Sequence, residues 1–140
     1  MNTTAEKALK HVQDFEIQNK RTPADHVNNK GIDILSVCSQ SSEERHIEVK
    51  GIVNNTFTLF SNFNYKQFLK SGNKFYLYVV KIYPNGEEKL YILNYEEVEK
   101  LIPEKNRTIF NLAIENKVKR ISINYSIHLK DLTGFLVKKQ

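Results

Sequence analysis

The sequence predicts one α/β domain in the order helix, three strands, helix, strand, followed by a C-terminal α/β extension. Three observations lead to this. The N-terminal segment repeats apolar residues at helical spacing. Three short apolar stretches then follow, joined by polar loops, as in an antiparallel meander. Last, FYLYVVKIY is an almost unbroken run of β-branched and aromatic residues, the composition of a buried strand. The chain of 140 residues is a common single-domain size. No repeat, linker or low-complexity tract divides it, so residues 1–140 are read as one domain, with a core over about 3–93 and an extension over about 94–140.

Thr3 to about Arg21 reads as the first helix, with Ala5, Ala8, Leu9, Val12 and Phe15 on its apolar face. Thr3 and Glu6 form a capping-box pattern at its start, and Pro23 is expected to stop it. TPADHVNNKG reads as a loop. Strands are predicted over Gly31–Cys38, His46–Val53 and Thr56–Phe60. A second helix, about Asn64–Ser71, ends at Gly72. Phe75–Tyr83 and Lys89–Asn94 pair as a hairpin around Asn85-Gly86. YEEVEKLI is a short helix closed by Pro103, and helix is favoured over Thr108–Lys117. Ile121–Leu129 alternates as a strand, and KDLTGFLVKK ends the chain as a helical turn.

Hydrophobic residues make up 40% and charged residues 26%, ordinary globular usage. No apolar run approaches the ~20 residues needed to span a bilayer, and the first residues have no apolar signal-peptide core. The lone Cys38 has no partner for a disulfide or metal motif, which fits a reducing, cytoplasmic setting, with Cys38 itself a half-buried strand residue. The net charge of +5 favours acidic partners, nucleic acid the commonest among them. Between Lys117 and Gln140 six Lys or Arg stand against one Asp. His11, His26, His46 and His128 show no metal-ligand spacing, and no glycine-rich phosphate loop or nucleophile-elbow serine is present. Tyr76, Tyr78, Tyr91 and Tyr125 fall on predicted strands, where core packing explains them.

The residues that suggest chemistry are Asp33, Glu48 and Lys50. In a strand, alternate side chains share a face, so Glu48 and Lys50 point the same way, roughly 7 Å apart along the strand. His46 belongs to the same face. Within IEVKG alone, a water-exposed charged face is the simpler reading. GIDILS adds an acid, Asp33, among apolar neighbours, and a hairpin would carry it to Glu48 and Lys50. Like charges side by side in a buried setting cost several kcal/mol unless a cation compensates. A divalent metal does so: Mg²⁺ takes one or two carboxylates, a backbone carbonyl and waters.

With these residues and this element order, the chain resembles the PD-(D/E)xK nuclease-like superfamily, the restriction-endonuclease-like fold. More narrowly, it resembles the domain at the C-terminus of the plant protein NO VEIN. AEKALKHV, GIDILS, IEVKG and FYLYVVKIY carry the resemblance, over about residues 3–83. It implies a central mixed sheet in α-β-β-β-α-β order flanked by helices. It implies Asp33 and Glu48 as ligands of Mg²⁺ (or Mn²⁺), with the Val49 carbonyl as a further ligand, Lys50 as catalytic lysine and Glu6 completing the site. Gln67, on the second helix, could touch the site too, but a helix-surface glutamine is the favoured reading. The sequence departs from the family pattern: Ile32 precedes the Asp where an aromatic is usual, SNFNYK offers Asn62 or Asn64 where a Glu is common, and the Pro of the PD motif is absent, as is common in the superfamily.

Two functions are therefore expected in competition. One is a Mg²⁺-dependent endonuclease hydrolysing nucleic-acid phosphodiesters, most of all DNA, with basic residues, some from the C-terminal segment, on the backbone. The other is a weak or silent nuclease-fold module that binds DNA or a protein partner. A regulatory protein of a defence or mobile-element system is a third alternative. No membrane partner is expected. A domain this small has little room for its own specificity elements, which leaves a homodimer or a partner as an open route.

Overall fold

The computed structural model describes residues 3–25, 32–60, 62–118 and 126–138. Helix α1 (Thr4–Gln18) starts where the sequence predicts. The Glu6 N–H donates to Thr3 Oγ1 at 3.1 Å, and the Thr3 N–H donates to Glu6 Oε1 at 3.4 Å, completing the capping box. Its end comes earlier than Pro23. Asn19 caps the last carbonyls, and Lys20 turns the chain through a left-handed φ of 62°.

Pro23 instead lies inside β1 (Arg21–Asp25), a strand within the segment expected to be a loop. It pairs antiparallel with β2 (Ile34–Cys38), which pairs antiparallel with β3 (Glu44–Ile52). Proline is tolerated there because β1 is the edge of the sheet, where an N–H is not needed for pairing. The meander is thus β1-β2-β3. The predicted third strand, Thr56–Phe60, shrinks to β4 (Thr56–Phe57), which leaves the main sheet and pairs with β7 (Ile127–His128). Leu59 and Phe60 beyond it are buried as irregular chain, so their apolar character marks core and not strand.

Helix α2 (Asn62–Ser71) ends at Gly72 as expected, and a 3₁₀ turn (Gly72–Lys74) leads into β5 (Phe75–Ile82). β5 lies parallel to β3, with His46 opposite Phe75 and Lys50 opposite Val79. β6 (Glu88–Asn94) returns antiparallel, giving a mixed five-stranded sheet in the order β1-β2-β3-β5-β6. α3 (Tyr95–Leu101) carries a capping box between Asn94 and Glu97, and α4 (Glu104–Glu115) follows Pro103. Of the strand predicted over Ile121–Leu129, Ile127–His128 pair as β7, and residues 121–125 lie outside the described residues. A 3₁₀ segment (Leu129–Phe135) matches the expected terminal turn.

Alternation splits the sheet into two packed faces. Ile34, Ile47, Tyr78 and Val80 meet Ala8 and Val12 of α1. Ile52, Phe75, Leu77, Val79 and Leu93 face Phe68 of α2, Val98 of α3 and Phe110 of α4. On β3, Glu48 and Lys50 alternate with Val49 and Gly51 and so belong to the second face. Gly51 explains how α1 sits so close to β3: a Cβ there would stand 2.7 Å from Ala8 Cβ and 2.8 Å from the Thr4 carbonyl. Gly51→Ala is therefore expected to push α1 off the sheet and to destabilise the fold by about 1–3 kcal/mol. Urea unfolding checks this, and an unchanged midpoint would refute the close approach.

Neither sheet edge is left as a bare ladder. Pro23 interrupts β1, and the C-terminal segment covers β6, with the Val137 N–H donating to the Leu90 carbonyl at 2.8 Å.

Candidate active site

β2 and β3 are of unequal length, and the candidate site forms where the shorter one begins. Pairing starts at Ile34, opposite Ile47, while β3 runs on to Ile52. Asp33 stands just before that start. Its N–H donates to the Ile47 carbonyl at 3.0 Å, and its Oδ2 accepts from the Val49 N–H at 2.7 Å. The carboxylate thus takes the ladder position that a further residue of β2 would have filled. In a strand, the N–H and C=O of one residue point to the same side. The Val49 carbonyl therefore points, like that of Ile47, towards Asp33.

Glu48 is 5% exposed, whereas Asp33 is exposed. Burial pushes the Glu48 carboxyl up from 4.5 to about 8, and neighbouring Asp33 adds to the rise. Lys50 opposes it: its Nζ lies 3.8 Å from Glu48 Oε1, and its side chain is 28% exposed. The folded state therefore holds the Glu48 proton more tightly than the unfolded chain. The stability this confers is full below about pH 4.5 and is lost as pH rises through about 8. Glu48→Gln, which cannot ionise, should match wild type at about pH 5 and exceed it by a few kcal/mol at about pH 9 in chelator. Unfolding at both pH values checks this, and a difference that ignores pH would count against a strained Glu48.

The structure brings Asp33, Glu48, Lys50 and the Val49 backbone together. Glu6 is engaged elsewhere, its Oε1 also accepting from Thr3 Oγ1 at 3.0 Å. Among the described residues, no three His, Cys, Asp or Glu side chains cluster as a metal site. The pair nevertheless fits a hard divalent cation. Two carboxylates and a backbone carbonyl are oxygen donors of the type Mg²⁺ and Mn²⁺ take, with water completing the shell. A cation there would also favour the ionised form of Glu48, against the burial and the neighbouring Asp33 that push its carboxyl up.

Beside this centre runs a hydrogen-bonded row that sequence spacing did not announce. His46, on the same face of β3, places Nδ1 2.8 Å from Ser71 Oγ of α2 and Nε2 3.4 Å from Glu44 Oε1. Gln67 Nε2 donates to Ser71 Oγ at 2.9 Å. Gln67 is 9% exposed, so the surface reading of it is corrected: it faces the sheet, one helical turn from Ser71. On the opposite face, buried Glu16 accepts from the Tyr78 hydroxyl at 2.8 Å and lies 3.3 Å from Arg21 Nε and 3.5 Å from Arg45 Nη1. Its spacing of four from Val12 and eight from Ala8 was the available signal, for it places an acid on the buried stripe of α1.

The family model for the C-terminal region of Protein NO VEIN matches residues 4–93. The chain belongs to the NO VEIN C-terminal family. The matched span runs from the first residue of α1 to the penultimate residue of β6, and so holds Asp33, Glu48 and Lys50. No curated protein and no solved structure matches the chain. No described helix of this family member is long and apolar enough to cross a membrane.

Proposed function

We propose that this NO VEIN C-terminal domain is a metal-dependent nuclease of the PD-(D/E)xK type, with a restriction-endonuclease-like core, hydrolysing phosphodiester bonds of DNA. The observation that carries this reading is the buried Glu48 carboxyl beside Asp33, which is anchored on the Val49 N–H, with Lys50 Nζ 3.8 Å from Glu48. Asp33, Glu48 and the Val49 carbonyl would hold Mg²⁺ or Mn²⁺. When bound, the ion supplies charge neutralisation at a phosphoryl oxygen and acidifies a water. Lys50, partly open to solvent, holds a fixed positive charge for the developing phosphoryl charge and the attacking water. Asp33 is oriented by the Val49 N–H, and Glu48 is fixed by packing on the sheet. The +5 net charge suits a polyanionic substrate.

One observation favours the rival, a silent module that binds DNA or a protein: Glu6, the third acid the resemblance would use, is tied to Thr3. Calorimetric titration with Mg²⁺ and Mn²⁺ decides between them when joined to cleavage assays on plasmid and single-stranded DNA. Wild type is expected to bind and cut. The Asp33→Asn, Glu48→Ala double variant is expected to lose both. Equal metal binding by the two proteins, with no cleavage by either, would establish the silent module.

A further inference from the structure

From Val49 to Gly86 the chain contains no Asp or Glu, yet it carries Lys50, Lys66, Lys70, Lys74 and Lys81. Lys81 is buried, its Nζ bonded to the carbonyl of Asn54 at 3.1 Å. Lys66, Lys70 and Lys74 are exposed. Lys66 and Lys70 share one face of α2, one helical turn apart, about 6 Å, and Lys74 follows past the Gly72 turn. Among the described residues, neither Lys66 nor Lys70 forms an ion pair, while Lys74 lies 3.7 Å from Glu44 Oε1. The other helices differ. Lys10 of α1 is matched by Asp14 at 3.1 Å, and α3 carries Glu96, Glu97 and Glu99.

The position of α2 gives this charge a direction. α2 is the crossover between parallel strands β3 and β5, so it runs back against them, on the face that holds Glu48 and Lys50. Ser71 meets His46 at one end. One turn towards the start of α2, Gln67 donates to the same Ser71 hydroxyl at 2.9 Å and is buried, so this side of the helix is turned to the face of β3 that also holds Glu48. Lys66 adjoins Gln67. Between the lysines, Leu69 is 40% exposed beside Ile114 of α4, giving the surface an apolar floor between its charges.

We propose that the outer face of α2, formed by Lys66 and Lys70 with Lys74 beyond them, grips the phosphate backbone of the substrate strand beside the Asp33–Glu48–Lys50 centre. This rests on the nuclease reading and assigns the binding surface within it. The lysines contribute a salt-dependent attraction that carries no sequence information.

The test uses the whole chain and fluorescently labelled duplex DNA in chelator, where cleavage is silent, over a series of salt concentrations. Lys66→Ala with Lys70→Ala is compared with Lys7→Ala with Lys10→Ala, which removes equal charge from exposed positions on α1. The α2 variant is expected to lose about 2 from the slope of log K against log salt and at least ~10-fold in affinity. The α1 variant should keep both within a factor of about two. Equal losses in the two variants, or none in the α2 variant while wild type binds and cuts plasmid, would overturn this surface and leave the nuclease reading standing. Wild type that neither binds nor cuts would overturn both.

Discussion

Lys50→Ala is expected to slow phosphodiester cleavage about 10²–10³-fold while divalent-metal affinity, measured at a pH alkaline enough to ionise Glu48 in both proteins, stays near that of wild type. Lys50 offers no ligand atom while protonated, so its loss should spare the donor set. Its ammonium lies 3.8 Å from Glu48 and is the one cation in contact with the acid pair among the described residues. Removing it has a second consequence. Lys50 holds the Glu48 carboxyl down against burial and Asp33, so the variant should need higher pH before Glu48 releases its proton. Metal binding measured against pH should therefore shift upward in Lys50→Ala, because a carboxylate binds the ion only when deprotonated. Cleavage within a few-fold of wild type, with an unmoved pH profile, would remove Lys50 from the chemistry.

Glu16→Ala should destabilise the fold by about 3–5 kcal/mol, a fall in melting temperature on the order of 10 °C. Glu16 is fully buried and faces Arg21, Arg45 and Tyr78. Arg21 does not direct its Nε hydrogen at Glu16; it donates to Ser36 Oγ at 3.0 Å, while Nη2 donates to the carbonyls of Ser36 and Glu43 at 3.1 and 2.9 Å. The carboxylate thus balances two guanidinium charges already spent on backbone and hydroxyl partners. Among the described residues, deleting it leaves Arg45 without a carboxylate partner and the buried Arg21 with only the exposed Glu43, 3.4 Å from its Nη1. Tyr78→Phe removes only the hydroxyl, which donates to Glu16 and accepts from Arg45 at 2.8 Å, and should cost about 1–3 kcal/mol. Urea unfolding of the two variants checks the order. A Glu16 variant no weaker than Tyr78→Phe would mean that the arginines find water or other acids.

The elements that could be read from the chain were those with strong local signals. The Thr3–Glu6 cap, the FYLYVVKIY strand, the Asn-Gly hairpin and the Gly72 stop depend on residues within a few positions of each other. β1 was hidden because Pro and Asp in RTPAD suggest a loop, and only its place at the sheet edge makes Pro23 acceptable. TFTLF misled for the opposite reason, since its apolar residues are claimed by the core and not by pairing. At the site, the approach of Asp33 to Glu48 followed from a hairpin. The Val49 N–H bond that orients Asp33 depends on where β2 stops, a tertiary fact. The His46–Ser71–Gln67 row joins a strand to a helix 25 residues away and leaves no periodic trace.

The span shared with NO VEIN ends one residue before β6 does, but the second packed face does not end there. Val98, Ile102, Phe110, Ile127 and Leu132 all lie past residue 93 and are buried in the same cluster as Phe68, Phe75 and Leu77. A chain cut at the family boundary would keep Asp33, Glu48 and Lys50 and still open a wide apolar surface to water, with β6 stripped of Val137 at its edge. Such a fragment should aggregate rather than fold. The inherited segment and the unit of cooperative folding thus have different lengths, and any transplant of this domain into another protein must carry its last third.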